Sequence, residues 1–265
     1  MTKTEVRIIK LMEMLQNRQR VDVGTVSGEL GISEATVRRL LARAERESKV
    51  IRVHGGVQLS PQMTHDYSYR VSAAHRSLQK TYIGNLAARL VADNDRLFLD
   101  SGTTVLKLAE ALSVRLQTGK LKNIVVLTNS FTHVDVLASW CKVILIGGEV
   151  RVERRDVCGS LAEKTIQMFH LGKAFFGADA VSIDSGFTTT DERTSRMQEL
   201  VMQRAHASYV LVDSEKFDRS SFVGFAALNE VDAIITDEEL PAETRKRYTD
   251  AGARFWSDVG SEGSA

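Results

Sequence analysis

Apolar residues fall into two patterns along this chain: helical spacing near the start, then short continuous runs from residue 96 onward. From about Ser33 to Glu47, Val37, Leu40, Leu41 and Ala44 lie at i, i+3, i+4 and i+7, which predicts a helix with one buried stripe. Ahead of it, roughly Val23 to Leu30, a shorter helix offers Val23, Val26 and Leu30 as its inner face. Gly31 stands where the tight turn between the two needs a permissive backbone, and Ser33 is placed as an N-cap. After the second helix, Lys49 to Val57 alternates apolar and basic residues before the pair Gly55-Gly56, as a strand and hairpin wing do. Two short helices joined by a glycine turn and followed by a wing predict a winged helix-turn-helix of about 60 residues.

The later runs each end at once in small or polar residues. Leu97-Phe98-Leu99 leads into Asp100-Ser101-Gly102-Thr103-Thr104, Ile124-Val125-Val126-Leu127 into Thr128-Asn129-Ser130, and Val143-Ile144-Leu145-Ile146 into Gly147-Gly148-Glu149. Val210-Leu211-Val212 meets Asp213-Ser214-Glu215-Lys216, and Ala233-Ile234-Ile235 meets Thr236-Asp237. Such runs between amphipathic stretches predict an α/β domain with a mostly parallel sheet covered on both faces, whose ligands bind at the carboxyl ends of the strands. Lys80 to Val91 reads as a helix, with Ile83, Leu86, Ala87 and Leu90 on one side. Between the two patterns the chain turns polar and carries Pro61, one of only two prolines. The expected organisation is therefore a head over 1–58, a linker over 59–79, an α/β domain over 80–257 and a disordered tail over 258–265.

Charge sharpens this division. The net charge is only +1, but residues 1–60 hold 11 Lys/Arg against 7 Asp/Glu while the remainder holds 24 against 27, so the basic excess belongs to the head. That is the footprint expected of a module that meets duplex DNA. Ala35, Thr36, Arg38 and Arg39 would face the major groove just after the Ser33 cap, Arg43 would reach phosphate, and Arg52 and His54 would contact the duplex from the wing. In the α/β part, a strand ending in Ser101-Gly102-Thr103-Thr104 before a helix collects backbone donors, two hydroxyls and a helix dipole around one small volume, which suits a phosphate or other anion. Asp100 suits a sugar hydroxyl instead. Thr128-Asn129-Ser130, Gly147-Gly148 and Lys216 at other strand ends add convergent groups, and Lys216 supplies charge. Two cysteines, Cys141 and Cys158, no secretory segment after Met1 and no apolar run near 18 residues point to a reducing cytoplasm and no membrane. Six scattered histidines lack metal-ligand spacing, so no metal and no cofactor are expected.

These residues resemble the DeoR-type transcriptional regulators, whose head carries a Thr-Ile-Arg-Arg-Asp-Leu segment and a later Arg-x-His-Gly-Gly-Ala. Here the chain reads Thr36-Val37-Arg38-Arg39-Leu40-Leu41 and Arg52-Val53-His54-Gly55-Gly56-Val57. Leu40 replaces the usual acid and falls near the buried stripe. The resemblance extends over about residues 4 to 256, through Asp100-Ser101-Gly102-Thr103-Thr104, Thr128-Asn129-Ser130, Gly147-Gly148, Phe175-Phe176-Gly177-Ala178-Asp179 and Asp213-Ser214-Glu215-Lys216-Phe217. It implies a sensor similar in fold to ribose-5-phosphate isomerase that responds to a phosphorylated sugar or related metabolite, with Asp179 at the effector site. Arg70 and Lys80 match an Arg and a Lys common in the family. Where the family has Glu-Ala opening a helix toward a Met, here Met202, this chain has Ser195-Arg196; Glu192, one turn earlier, stands in as the candidate carboxylate.

The reading is a repressor of carbohydrate genes, controlled by its effector and acting as a homodimer or homotetramer on paired half-sites. Two rivals make different demands. A phosphosugar isomerase would need a general base, for which Asp100, Asp179 and Glu192 are candidates by type, but it has no use for a basic winged helix. A DNA-binding protein with an unresponsive sensor fold would show no ligand-dependent change in operator affinity.

Overall fold

A computed structural model describes residues 3–18, 20–46, 50–53, 56–59 and 69–256. Internal contacts divide the chain into two units, Met1–His75 and Arg76–Ala265.

The first unit opens with α1 (Lys3–Arg18), which the pattern reading passed over. Its Ile8, Leu11, Met12 and Leu15 keep helical spacing and are buried against Val26, Val37, Leu40, Leu41 and Ala44. A short strand β1 (Arg20–Val21) precedes α2 (Val23–Leu30), and α3 (Glu34–Arg46) follows. The Asp22 carboxylate caps α2 by accepting from the Thr25 amide at 2.8 Å, and Gly31 ends that helix at φ +61°, a left-handed conformation that glycine adopts without a Cβ clash. Ser33 caps α3, its hydroxyl accepting from the Thr36 amide at 3.4 Å. The wing comprises β2 (Val50–Val53) and β3 (Gly56–Leu59), with β1 on the far side of β3 in an antiparallel sheet of order β1-β3-β2. Gly56 is required there: a Cβ at that position would fall 2.2 Å from the Val21 carbonyl oxygen. Of the expected linker, residues 69–79 are described and largely helical, forming α4 (Tyr69–Ala74) and the start of α5 (Ser77–Ala88), three residues ahead of the expected Lys80. The tail over 258–265 lies outside the described residues.

The second unit is built on six parallel strands: β4 (Arg96–Leu99), β5 (Val125–Thr128), β6 (Lys142–Leu145), β9 (Leu171–Gly177), β12 (Ala205–Leu211) and β14 (Ala233–Ile235). Their order is β14-β12-β9-β4-β5-β6, so the chain winds outward in one direction from β4 and then in the other from β9. Alternate strand residues feed two cores. Phe98, Phe176, Val210 and Ile234 pack with α8 (Ser160–Gln167), α9 (Glu192–Met202) and α10 (Ala242–Asp250). Leu97, Leu99, Phe175, Leu211 and Ile235 pack with α5, α6 (Thr103–Gln117) and α7 (Phe131–Leu137). Both faces are thus covered, as continuous apolar strands require. Two further pieces were not legible in the pattern: the hairpin β7 (Glu149–Arg151) and β8 (Asp156–Cys158), and an antiparallel sheet of β10 (Ala180–Ser182), β11 (Gly186–Thr189) and β13 (Val223–Ala226). None of the described helices is long and apolar enough to cross a membrane.

Candidate functional site

In the first unit, α3 turns Val37, Leu40, Leu41 and Ala44 inward, which leaves Ala35, Arg39, Arg43 and Arg46 as a line on the opposite side and Arg38 beside it, all exposed. Thr36 is half-buried, its hydroxyl 3.0 Å from that of Ser33. Arg46 belongs to the arginine line and was overlooked because it follows the helix segment that carries the motif. Three of the arginines are only lightly tethered: Arg39 donates to the Ala35 carbonyl at 3.4 Å, Arg38 pairs with Glu34 at 3.5 Å, and Arg52 on β2 pairs with Glu45 at 3.0 Å. Exposed pairs of this kind contribute at most about 1 kcal/mol, so a phosphate or base edge competes with them easily. Leu40 is buried, so the acid it replaces would have had no place in this core. His54 lies outside the described residues.

In the second unit the reversal of winding falls between β4 and β9, and the strand ends there carry the polar groups. The Asp100 amide donates to the Phe175 carbonyl at 3.0 Å, and the Asp100 carboxylate accepts from the Gly177 amide at 3.3 Å and from Gln198 Nε2 at 2.9 Å. Gln198, on α9, also donates to the Gly177 carbonyl at 2.9 Å and so spans the two strand ends. Burial pushes the Asp100 carboxyl up to about 6 against these hydrogen bonds. Gly102 begins α6 and faces Gly177, while Thr103 and Thr104 occupy the first turn of that helix and are almost wholly buried.

Beside Asp100 lies a chain of side-chain hydrogen bonds. The Ser101 hydroxyl donates to Asp156 Oδ2 at 2.8 Å and accepts from Asn129 Nδ2 at 3.4 Å. Asp156 is held by Arg151, Nε to Oδ1 at 2.8 Å and Nη2 to Oδ2 at 2.7 Å; the same guanidinium reaches Asp191 at 2.7 Å and Thr194 at 3.1 Å. Burial opposes the Arg151 charge, but its hydrogen bond to Asp156 and the two carboxylates outweigh that and hold it more firmly protonated than usual. Asp191 also caps α9 through the Arg193 and Thr194 amides; burial works against its charge, but Arg151, the Thr194 amide, Arg154 and Arg193 together outweigh it and hold the carboxyl below its usual range. Arg151, Asp156 and Gln198 escaped the sequence reading. Only Gln198 left a signal, as a polar residue in the inner stripe Thr194, Met197, Gln198 and Val201.

The other expected residues divide by environment. Thr128 and Ser130 are fully buried: the Thr128 hydroxyl donates to the Leu99 carbonyl at 2.7 Å, accepts from the Ser130 amide at 3.1 Å and lies 3.0 Å from His133 Nδ1, and the Ser130 hydroxyl is 2.8 Å from that of Thr132. They brace the turn after β5 from within, and burial takes the His133 ring down to about 3. Gly148 answers a packing need, since a Cβ would fall 2.4 Å from the Cys158 carbonyl oxygen; Gly147 beside it is exposed. Asp179 accepts from the Thr189 hydroxyl at 3.1 Å and from the Thr190 amide at 2.9 Å, pinning the end of β11. Glu192 is exposed on the first turn of α9. Ser195 is buried and donates to the Gly224 carbonyl of β13 at 2.8 Å.

A second charged group gathers where β12 and β14 end. Lys216 sits half-buried on the turn Ser214–Lys216, and Lys80 of α5 is buried in the field of Asp213, Lys216, Arg76 and Asp179. Burial brings the Lys80 amine down to about 8. Arg76 binds the Ser214 hydroxyl at 2.9 Å, Glu215 at 3.1 Å and Glu239 at 2.5 Å, with Asp213 and Asp237 each at 3.6 Å.

Residues 7–62 match the DeoR-like helix-turn-helix domain and residues 75–238 the DeoR C-terminal sensor domain. The chain is 32% identical to the HTH-type transcriptional repressor GlcR of Bacillus subtilis, over 88% of each protein. It is 30% identical to the HTH-type transcriptional regulator GlpR of Haloferax volcanii, over 92% of this chain and 93% of that one. Among solved structures, a D-ribose-5-phosphate isomerase in complex with phospho-erythronic acid overlaps 53% of this chain and 54% of its own at 18% identity, with a TM-score of 0.41. With both domains matched in order and relatives aligned almost end to end, the chain belongs to the DeoR family of transcriptional regulators.

Proposed function

We propose that this protein is a repressor of carbohydrate-metabolism genes whose grip on operator DNA is set by a phosphorylated sugar or related metabolite. The observation that carries the reading is the pairing of an exposed arginine line on α3 with a polar, charged strand-end crest at the point where the sheet reverses its winding. Arg38 and Arg39, with Ala35 and Thr36, read the major groove, Arg43 reaches phosphate, and Arg52 contacts the duplex from the wing. The effector's anionic group is held by Lys216 and the first turn of α6 at Gly102, Thr103 and Thr104. Asp100, Ser101 and Asn129 line the same crest; Thr128, Ser130, Gly147, Gly148 and Asp179 shape its loops, and Glu192 lies at its rim. The chain works in the cytoplasm as a homodimer or homotetramer, since paired half-sites need paired heads. The relatives' printed names include a putative aga operon repressor and a lactose phosphotransferase system repressor, which supports a sugar-derived signal.

The test is to select duplexes from a random pool with the full chain and titrate the winner by gel shift with and without sugar phosphates. A sequence-selective shift that a sugar phosphate changes is expected; a shift indifferent to every sugar phosphate would leave only the DNA-binding half standing. Turnover of a sugar phosphate by the purified chain would reopen the isomerase reading.

A further inference from the structure

The sensor crest is not uniformly suited to an anion. Ser101 and Asn129 look like phosphate donors in the sequence, yet the Ser101 hydroxyl proton goes to Asp156 at 2.8 Å and the Asn129 amide hydrogens face Ser101 Oγ at 3.4 Å. Gln198 spends its amide hydrogens on Asp100 Oδ2 and the Gly177 carbonyl, both at 2.9 Å. These partners fix which way round the two amides sit. Turning Gln198 over would set its oxygen against two acceptors, and turning Asn129 over would set its oxygen against a hydroxyl whose proton is already committed. The atoms left over are therefore both acceptors: Asn129 Oδ1 and Gln198 Oε1 are buried with no hydrogen-bond partner. Each residue is only 2% exposed, so each orphaned oxygen carries the full cost of lost hydration. Arg151, the cation that reaches Asp156, is consumed by Asp156 and Asp191.

Taken with the Asp100 and Asp156 carboxylates, this corner is a wall of acceptors, hostile to phosphate and short of donors. We propose that Asn129 Oδ1 and Gln198 Oε1 are the specificity-determining groups of the sensor, each accepting a hydrogen bond from a hydroxyl of a polyhydroxylated phosphate ester. The ester lies with its hydroxyls on these oxygens and its phosphate toward Lys216, Lys80 and the start of α6. Binding supplies the donors that these two oxygens lack. The inference rests on the effector reading above and deepens it: it orients the ligand and names the part of it that is read.

The probes are inorganic phosphate, D-ribose 5-phosphate, D-glucose 6-phosphate and D-fructose 1-phosphate, titrated calorimetrically into the full chain. The tightest sugar phosphate is then tested as its series of monofluoro analogues, in which each hydroxyl in turn is replaced by a fluorine that accepts but cannot donate. At least one replacement is expected to weaken wild-type binding roughly 5- to 100-fold, the loss of one buried hydrogen bond. That same replacement should cost less than about twofold in Gln198→Met or Asn129→Leu, variants that weaken the parent sugar phosphate but leave inorganic phosphate unchanged. If every fluoro analogue binds as its parent does, or the sugar phosphates bind no tighter than inorganic phosphate, the acceptor wall reads nothing and the inference is overturned. The fluoro series needs no variant, so a failure of either substitution to fold does not decide the matter. If neither inorganic phosphate nor any sugar phosphate binds, the effector reading itself has failed.

Discussion

Arg151 grips Asp156 with both arms of its guanidinium, at 2.8 and 2.7 Å, and Asp156 in turn orients the Ser101 hydroxyl at the head of the sensor crest. Both members are buried, so the pair is costly to break from one side. Arg151→Ala strands two carboxylates, Asp156 and Asp191, and should destabilise the protein by about 3–5 kcal/mol, read as a lower urea midpoint. A loss under about 1 kcal/mol would mean that solvent reaches Asp156 freely.

Asp100 gives a pH signature. Its folded-state carboxyl lies near 6, above the ordinary 3.8, so the folded protein holds its proton more tightly than the unfolded chain does. The associated stability is therefore present below about 4 and lost as the pH rises through 6, amounting to as much as about 3 kcal/mol. Asp100→Asn removes this dependence. Relative to wild type, the variant should gain stability between pH 4.5 and pH 7.5, and a constant difference across that range would show Asp100 to titrate normally.

On the arginine line, Arg39→Ala should weaken operator binding by roughly 1–3 kcal/mol and selectively for sequence if the side chain reads a guanine edge. Arg46→Ala should instead act evenly across sequences and lower the salt dependence, as a phosphate contact does. Gel shifts at several ionic strengths separate the two. An unchanged affinity for Arg39→Ala would take that residue out of the interface.

Lys216→Ala and Thr103→Val should leave operator affinity intact and abolish the effector response, because the proposed anion site places both at the crest and neither lies on α3. Normal responses in both variants would place the anion elsewhere.

Gly84 sets two opposing effects against each other. Alanine favours a helix interior by about 1 kcal/mol, yet here its Cβ would fall 2.5 Å from the Lys107 backbone, where α5 and α6 meet. Overpacking against backbone costs about 1–3 kcal/mol or more, so Gly84→Ala should lower the melting temperature. A rise would show that the two helices separate cheaply.

The one-dimensional pattern determined the helix-turn-helix of the head closely, but not α1. α2 runs Val23–Leu30 as read, Gly31 is left-handed, and Val37, Leu40, Leu41 and Ala44 form the inner face of α3, because helix periodicity, capping and glycine conformation are local properties. It also placed β4 and β14, apolar runs of three or four residues ending in polar turns. The pattern was silent on β9, the strand beside β4 at the reversal, whose Leu171-Gly172-Lys173-Ala174-Phe175-Phe176-Gly177 interrupts its apolar run with glycine and lysine. It was silent too on the short strands β7, β8, β10, β11 and β13, which gain their hydrogen bonds only from partners elsewhere in the chain.

The site divides in the same way. Residue type and spacing identified Asp100, Ser101 and Asn129 as polar groups at strand ends, but only the folded chain decided which way each faces. Arg151 and Asp156 come from a hairpin and Gln198 from a helix about a hundred residues beyond Asp100, and they settle whether Ser101 and Asn129 offer hydrogens or lone pairs. A hydrogen bond has a direction set by the partner, and the partners here meet only through tertiary packing.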